Sequence, residues 1–294
     1  MPNRTFYIVD VFAEEKYSGN QLAVVADSGR LSSLQMQQIA NETHFSETTF
    51  VVSREKHFGG YDVRIFTPTT ELPFAGHPTL GTAYVINQFI APEKASSILL
   101  NLKVGQIKVD LERDQSGKES LWMTQPAPTF GKTYLADDFA KILGVNDSDI
   151  EDKCPIQEVS TGLPFVIVPL KTLDAVKHAH VNRDLELRLM KDNAGGILVF
   201  SRKTCSIKND LHVRVFADSF GIPEDPATGS GNGCLAAYLS KYGYFDNSDV
   251  DARVEQGCEI KRPSLLRIKA RNIEGKIRVQ VGGNVLLVAK GELI

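Results

Sequence analysis

The chain repeats itself once, and that repeat constrains its architecture more than any other feature. Val63-Arg64-Ile65-Phe66 returns as Val213-Arg214-Val215-Phe216. A loop follows each copy. Pro73-Phe74-Ala75-Gly76-His77 then answers to Pro226-Ala227-Thr228-Gly229-Ser230, and each opens a mostly apolar stretch containing Ala-Tyr, at Ala83-Tyr84 and Ala237-Tyr238. The offset is about half of the 294 residues. A single repeat of this size points to two duplicated domains facing each other, not to a solenoid, which stacks three or more units.

The patterning around the repeat predicts an α+β fold with mixed sheets. Short β-type runs dominate: Thr5–Phe12, Leu22–Ala26, Thr48–Val52, Tyr61–Phe66, Ser97–Leu102, Gln106–Leu111, Leu121–Gln125, Phe165–Pro169, Gly196–Ser201 and Leu211–Phe216. Lys276–Gly282 and Val285–Ala289, separated by Gly-Gly-Asn chemistry, predict a closing hairpin. Helical periodicity marks Leu34–Glu42, which Ser32 or Ser33 can cap, with Ala136–Leu143 and Asn182–Asp192 as surface helices. Pro78–Phe89 and Gly231–Tyr242 are apolar on nearly all sides, the mark of a buried helix. One buried helix per half among many strands excludes alternating βα units. Gln125-Pro126-Ala127-Pro128 reads as a linker, so residues 1–126 and 127–284 are expected as the two domains, with a last strand at about 285–294 free to return to the first.

Charge narrows the partners. Lys and Arg number 33 against 36 Asp and Glu, for a formal net charge of −3 and a pI near 6.1. That balance disfavours nucleic acid or an anionic membrane surface. No apolar run spans a bilayer and the first residues lack a secretory apolar core, so a cytoplasmic protein is expected. Cys154, Cys205, Cys234 and Cys258 form no CxxC pair and read as reduced thiols.

The two loop-to-helix junctions carry the strongest chemical signal. A helix start leaves backbone N–H groups unpaired and bears partial positive charge. Gly76 and Gly229 allow close backbone approach there, so the pair suits a small anionic substrate without any arginine. Glu47, in Phe45-Ser46-Glu47-Thr48-Thr49-Phe50, is either an exposed edge-strand residue or a partly buried acid suited to general acid–base work. Asp225 either caps the second helix or orients a substrate. His77 at the first helix start is expected to be a neutral imidazole, either structural or in contact with substrate.

Other motifs lead nowhere. Gly231-Asn232-Gly233-Cys234-Leu235-Ala236 fits the dinucleotide pattern, but the nearest apolar strand ends at Phe216, too far upstream for a pyrophosphate turn. His178-Ala179-His180 has no further metal ligand nearby in sequence. Cys234, inside an apolar helix, reads as core.

Four ordered segments together resemble the phenazine-biosynthesis PhzF-like family: Ser18-Gly19-Asn20-Gln21-Leu22-Ala23-Val24-Val25; Ser46-Glu47-Thr48-Thr49-Phe50-Val51; Phe66-Thr67-Pro68 with Glu71 to Thr79; and Glu224 to Ser230. The resemblance runs from the first strand to Val281-Gly282-Gly283. It implies the diaminopimelate-epimerase-like fold, each of two domains wrapping a mixed sheet around a central helix, with the site at the two helix starts. It further implies a homodimer and no cofactor, with Glu47 as the proton-transferring residue; the lack of a metal-ligand cluster in the sequence separately predicts that no metal is required. His77, Asp225 and Ser230 would line the site, and Gly76, Gly229 and Asn20 would contact substrate. Diaminopimelate epimerases and proline racemases resemble this pattern but place a reactive cysteine where Ala75 and Thr228 stand here, so a two-thiol racemase is not expected. The implied activity is a cofactor-independent isomerase that shifts a proton between carbons of a small cyclic or amino-acid-like carboxylate. A two-base epimerase using Glu47 and Asp225, and a non-catalytic ligand-binding relative, are the alternatives.

Overall fold

The computed structural model describes residues 4–113, 117–190, 195–218 and 222–294. The chain divides into two compact units, one of residues 1–124 with 282–294, the other of residues 125–281.

The first unit holds β1 (Arg4–Val11), β2 (Asn20–Val25), α1 (Ser33–Thr43), β3 (Glu47–Val51), β4 (Tyr61–Phe66), β5 (Glu71–Leu72), α2 (Gly76–Val85), β6 (Ser97–Leu102), β7 (Gly105–Arg113) and β8 (Glu119–Thr124). β1 is antiparallel to β2, β2 parallel to β3, β3 antiparallel to β4, β4 parallel to β6, and β6 antiparallel to β7. The second unit holds β9 (Thr129–Tyr134), α3 (Ala136–Leu143), β10 (Ile156–Ser160), β11 (Pro164–Pro169), α4 (Leu173–His178), α5 (Arg183–Leu189), β12 (Gly196–Ser201), β13 (Leu211–Ala217), β14 (Ile222–Asp225), α6 (Gly229–Tyr242), β15 (Val250–Gln256), β16 (Ser264–Ile273) and β17 (Lys276–Gly283). Here β10 is antiparallel to β11, β11 parallel to β12, β12 antiparallel to β13, β13 parallel to β15, and β15 antiparallel to β16. The two pairing sequences are the same. In each unit a short strand, β5 or β14, also pairs with the fourth member and leads into the helix.

The repeated arginine is part of that frame. Arg64 donates from Nε and Nη2 to both Glu71 oxygens, each at 2.8 Å. Arg214 grips Glu224 in the same fork, at 3.0 and 2.8 Å. Each guanidinium also lies over the phenylalanine two residues on, 5.0 Å from the Phe66 ring and 4.8 Å from the Phe216 ring. A planar five-donor fork can hold a carboxylate and stack on a ring at once, which an ammonium cannot. So Val-Arg-x-Phe recurs because it pins the loop that delivers each helix start.

Both long apolar helices are buried, as their composition requires. α2 packs against β1, β2 and β3 and exposes only Tyr84 appreciably. Its interior hydroxyls are satisfied: Thr79 donates to the Ala75 carbonyl at 2.7 Å and Thr82 to Thr49 at 2.7 Å. Its last turn widens into a π-turn over Ile86–Ile90, shortening the expected Pro78–Phe89 helix. α6 is buried from Gly229 to Ser240 and packs on β10, β11, β15 and β16. Ser32 caps α1 in a reciprocal box with Gln35. Asn182 caps α5, and the last two residues of the expected Asn182–Asp192 helix lie outside the described residues.

One expectation fails. The closing hairpin is absent, because only Asn284 separates β17 from β18 (Val285–Leu293), and a reversal needs at least two loop residues. None of Gly282, Gly283 and Asn284 has the positive φ of a primed turn. The chain runs on, and β18 pairs antiparallel with β1 from Val285↔Val11 to Leu293↔Arg4. Gly282 is there for space, since a Cβ would run into the Trp122 indole. Several strands were also not anticipated: β5, β9, β10, β14, β15 and β16. In β15 the inward residues Val250, Ala252 and Val254 alternate with more polar ones, so period-two counting would have found it.

Candidate active site

In the first unit, three of the expected site segments meet at one end of the sheet. β2 and β3 run parallel with Leu22 opposite Glu47, so Asn20-Gln21 and Glu47 begin neighbouring strands. β3 lies between β2 and β4, which removes the edge-strand reading of Glu47; the residue is 8% exposed. α2 starts beside them. His77 Nε2 comes to 3.3 Å from Glu47 Oε2, too obliquely to count as a hydrogen bond. Asn20 and His77 are buried. Burial holds the His77 imidazole down at about 3, against a smaller opposing pull from a backbone contact to Gln21. It is therefore neutral near pH 7, as expected, but through desolvation more than through the helix end. Ala75 at the N-cap offers no side-chain hydrogen bond to the helix.

The second unit builds its helix start differently. Thr228 is the N-cap residue, and its hydroxyl is turned away from the helix to donate to Asp225 Oδ2 at 2.6 Å. Asp225 thus does not cap α6. It closes β14 and faces the cap residue's side chain. Gln256, at the end of β15, ties the turn together. Its amide donates to the Asp225 carbonyl at 2.7 Å and to the Thr228 hydroxyl at 3.1 Å, and its oxygen accepts from Asn232 at 2.8 Å. Gln125 donates to the Gly229 carbonyl at 3.0 Å. Asp225, Gly229 and Ser230 are all buried. Sequence reasoning missed Gln256, Gln125 and Asn232. Gln256 sits in a separate strand with no local cue, and Gln125 looked like the first residue of a proline-rich linker.

The discounted motifs resolve plainly. Gly231 to Ala236 lie within α6, not in a strand–turn–helix loop, and a Cβ at Gly233 would collide with the Gln125 side chain. Cys234 is fully buried, and desolvation pushes its thiol up to about 12. His178 and His180 are exposed and contact backbone carbonyls. Among the described residues, metal-type side chains gather elsewhere, at Cys205, His212 and Cys258, a convergence that their spacing in the sequence concealed. No helix of the described residues is long and apolar enough to cross a membrane.

Comparison with known proteins gives one answer. A model of the family described as phenazine biosynthesis-like protein (PhzC-PhzF) matches residues 9–291. A trans-2,3-dihydro-3-hydroxyanthranilate isomerase of Pseudomonas fluorescens is 34% identical over 290 residues, covering 98% of this chain and 99% of its own. The crystal structure of a Bacillus anthracis phenazine biosynthesis protein of the PhzF family superposes with a TM-score of 0.91 at 27% identity, covering 100% of both chains. A hydroxyproline epimerase of Agrobacterium vitis, crystallised with trans-4-hydroxy-L-proline, shares the fold with a TM-score of 0.64 at 9% identity, over 100% of this chain and 91% of its own.

Proposed function

From the premise that the chain belongs to the PhzC-PhzF phenazine biosynthesis-like family and is an isomerase, we propose that it moves a proton between two carbons of a small cyclic or amino-acid-like carboxylate, with Glu47 as both base and acid. One observation carries the reading. Glu47 is a buried carboxyl group at a strand start, beside a buried neutral imidazole and the start of a buried helix. A carbon acid is weak, so its base must be close, aligned and poorly solvated.

The steps balance without a cofactor. The Glu47 carboxylate takes a proton from one carbon, and the bonding pair left behind delocalises toward the substrate's unsaturation. Protonated Glu47 then gives the proton to another carbon of the same system. Nothing is oxidised or reduced, and Glu47 ends as it began. Neutral His77 accepts or donates one hydrogen bond without placing a cation beside the base. In this proposal the substrate's anionic group is received by backbone N–H groups at the Gly76-His77 helix start. Asn20 orients the rest of the molecule. A homodimer is part of the same proposal, and light scattering in solution checks it.

The test is incubation in D2O with trans-2,3-dihydro-3-hydroxyanthranilate and a panel of small carboxylates, read by NMR. Deuterium entering a new carbon with migration of a double bond supports the proposal. Loss of optical activity without migration supports the two-base epimerase reading instead. No exchange into any compound would leave a binding protein.

A further inference from the structure

We propose that the second unit carries a structural site for a thiophilic divalent cation of the Zn2+ class, formed by Cys205, His212 and Cys258 beside Glu255. The four residues come from three segments: the loop after β12, the start of β13, and β15 with the turn that follows it. The Cys205, His212 and Cys258 ligand atoms all lie within 4.8 Å of one another. Cys205 Sγ is 3.9 Å from His212 Nδ1. Tetrahedral zinc with bonds of about 2.3 Å to sulfur and about 2.0–2.1 Å to nitrogen sets its ligands roughly 3.5 Å apart. The separation is therefore within a few tenths of an ångström of a bound geometry.

The imidazole is held between two carboxylates. His212 is fully buried, with Nε2 3.0 Å from Glu259 Oε1 and Nδ1 2.7 Å from Glu255 Oε1. A metal-bound histidine characteristically donates its other N–H to a carboxylate, which fixes the ring and its tautomer. Glu259 fills that role on Nε2. Nδ1 lies 3.9 Å from Cys205 Sγ and is bonded to Glu255, a bond that an ion on this nitrogen would replace. The Glu255 carboxylate is held in place by the backbone N–H of Cys205 and of Ser206 and by the Asn209 side chain. Two thiols and an imidazole are a soft donor set that selects zinc-like ions over magnesium or calcium. Glu255 and Glu259 supply the negative surroundings a dication needs.

The proposed role is structural. Glu255 is the neighbour of Gln256, which holds the Asp225–Thr228 turn. At Gly257, with φ of 79°, the backbone passes so close to Pro226 that a Cβ would sit 2.6 Å from its carbonyl oxygen. An ion on Cys258 would therefore brace the segment that positions the second helix start.

The test uses reduced, metal-stripped full-length protein titrated with Co2+. Saturation at one Co2+ per chain is expected, with a thiolate-to-cobalt charge-transfer band, the intense d–d bands of tetrahedral cobalt, and a higher melting temperature. The Cys205→Ser/Cys258→Ser double variant should lose the charge-transfer band. Cys205 is exposed, so the single Cys205→Ser variant keeps the fold and should weaken the band even if the double variant folds poorly. No charge-transfer band in the wild type, or an unchanged band in the Cys205→Ser variant, would overturn the site.

Discussion

The two helix starts share a frame and differ in what fills it. Each follows the same strand order and an arginine–glutamate fork. At α2 the neighbours are a buried acid, a buried neutral imidazole and an alanine cap. At α6 they are a hydrogen-bond network of Asp225, Thr228, Gln256 and Asn232. Networks of this kind hold geometry, because their bonds form together only in one arrangement. A carboxyl group that must change protonation within each turnover is better served by the first setting. The two units share a scaffold and differ in what it carries: in the proposed function the first unit's Glu47 moves the proton, while the second unit's helix start is held by hydrogen bonds.

The largest expected effect tests that division directly. Glu47→Gln keeps the shape and should reduce kcat by about 10²–10⁴-fold, the usual worth of a positioned acid–base group, with KM little changed. Asp225→Asn should lose much less. Equal losses in steady-state kinetics would erase the distinction between the units.

Next come the two forks, which look alike in sequence and differ in burial. The Arg214–Glu224 side chains are 9% and 11% exposed, against 27% and 16% for Arg64–Glu71. Arg214 also donates to the carbonyls of Val176, Lys177 and Ala179. Arg214→Met should cost about 3–5 kcal/mol, since it strands a buried carboxylate. Arg64→Met should cost about 1–2 kcal/mol. Urea unfolding measures both, and a larger loss at Arg64 would show that burial is not what separates them.

A smaller effect concerns pH. His77 has its folded value lowered from 6.5 to about 3, so the unfolded chain binds the extra proton in that interval. Its contribution is present above pH 6.5 and lost as pH falls toward 3. Unfolding free energy should therefore fall with acid across this window, and less steeply in His77→Gln. Identical slopes would place the acid sensitivity elsewhere. His212 in the second unit shifts the other way. Burial alone would lower it, but its bonds to Glu255 and Glu259 prevail and raise it.

The smallest effect is expected from the thiols. The cap positions of α2 and α6 are Ala75 and Thr228, not thiols, and Cys234 is sealed in the core. Replacing Cys154 and Cys234 with alanine should leave kcat within a few-fold of wild type. Complete loss in a folded variant would mean that a thiol takes part in the chemistry.

Much of this was legible in the sequence, for identifiable reasons. The two buried helices showed themselves because a segment apolar on every face has nowhere else to go. Their starts showed through glycine at Gly76 and Gly229 directly before apolar runs. The burial of Glu47 was not decidable locally, since it depends on β2 and β4 flanking β3. Gln256 was invisible because its partners lie in a different segment. The Gly282-Gly283-Asn284 hairpin was misread because glycine serves two purposes, reversal and close approach, and there the Trp122 ring required the second. Cys205, His212 and Cys258 looked unrelated because three separate segments bring them together.

The central claim is that the proton passes through Glu47. The direct measurement is solvent-deuterium exchange into substrate, followed by NMR, for the wild type, Glu47→Gln and Asp225→Asn under identical conditions. The account predicts exchange in the wild type, slower but clear exchange in Asp225→Asn, and none above background in a folded, substrate-binding Glu47→Gln. Exchange at the wild-type rate in Glu47→Gln would contradict it.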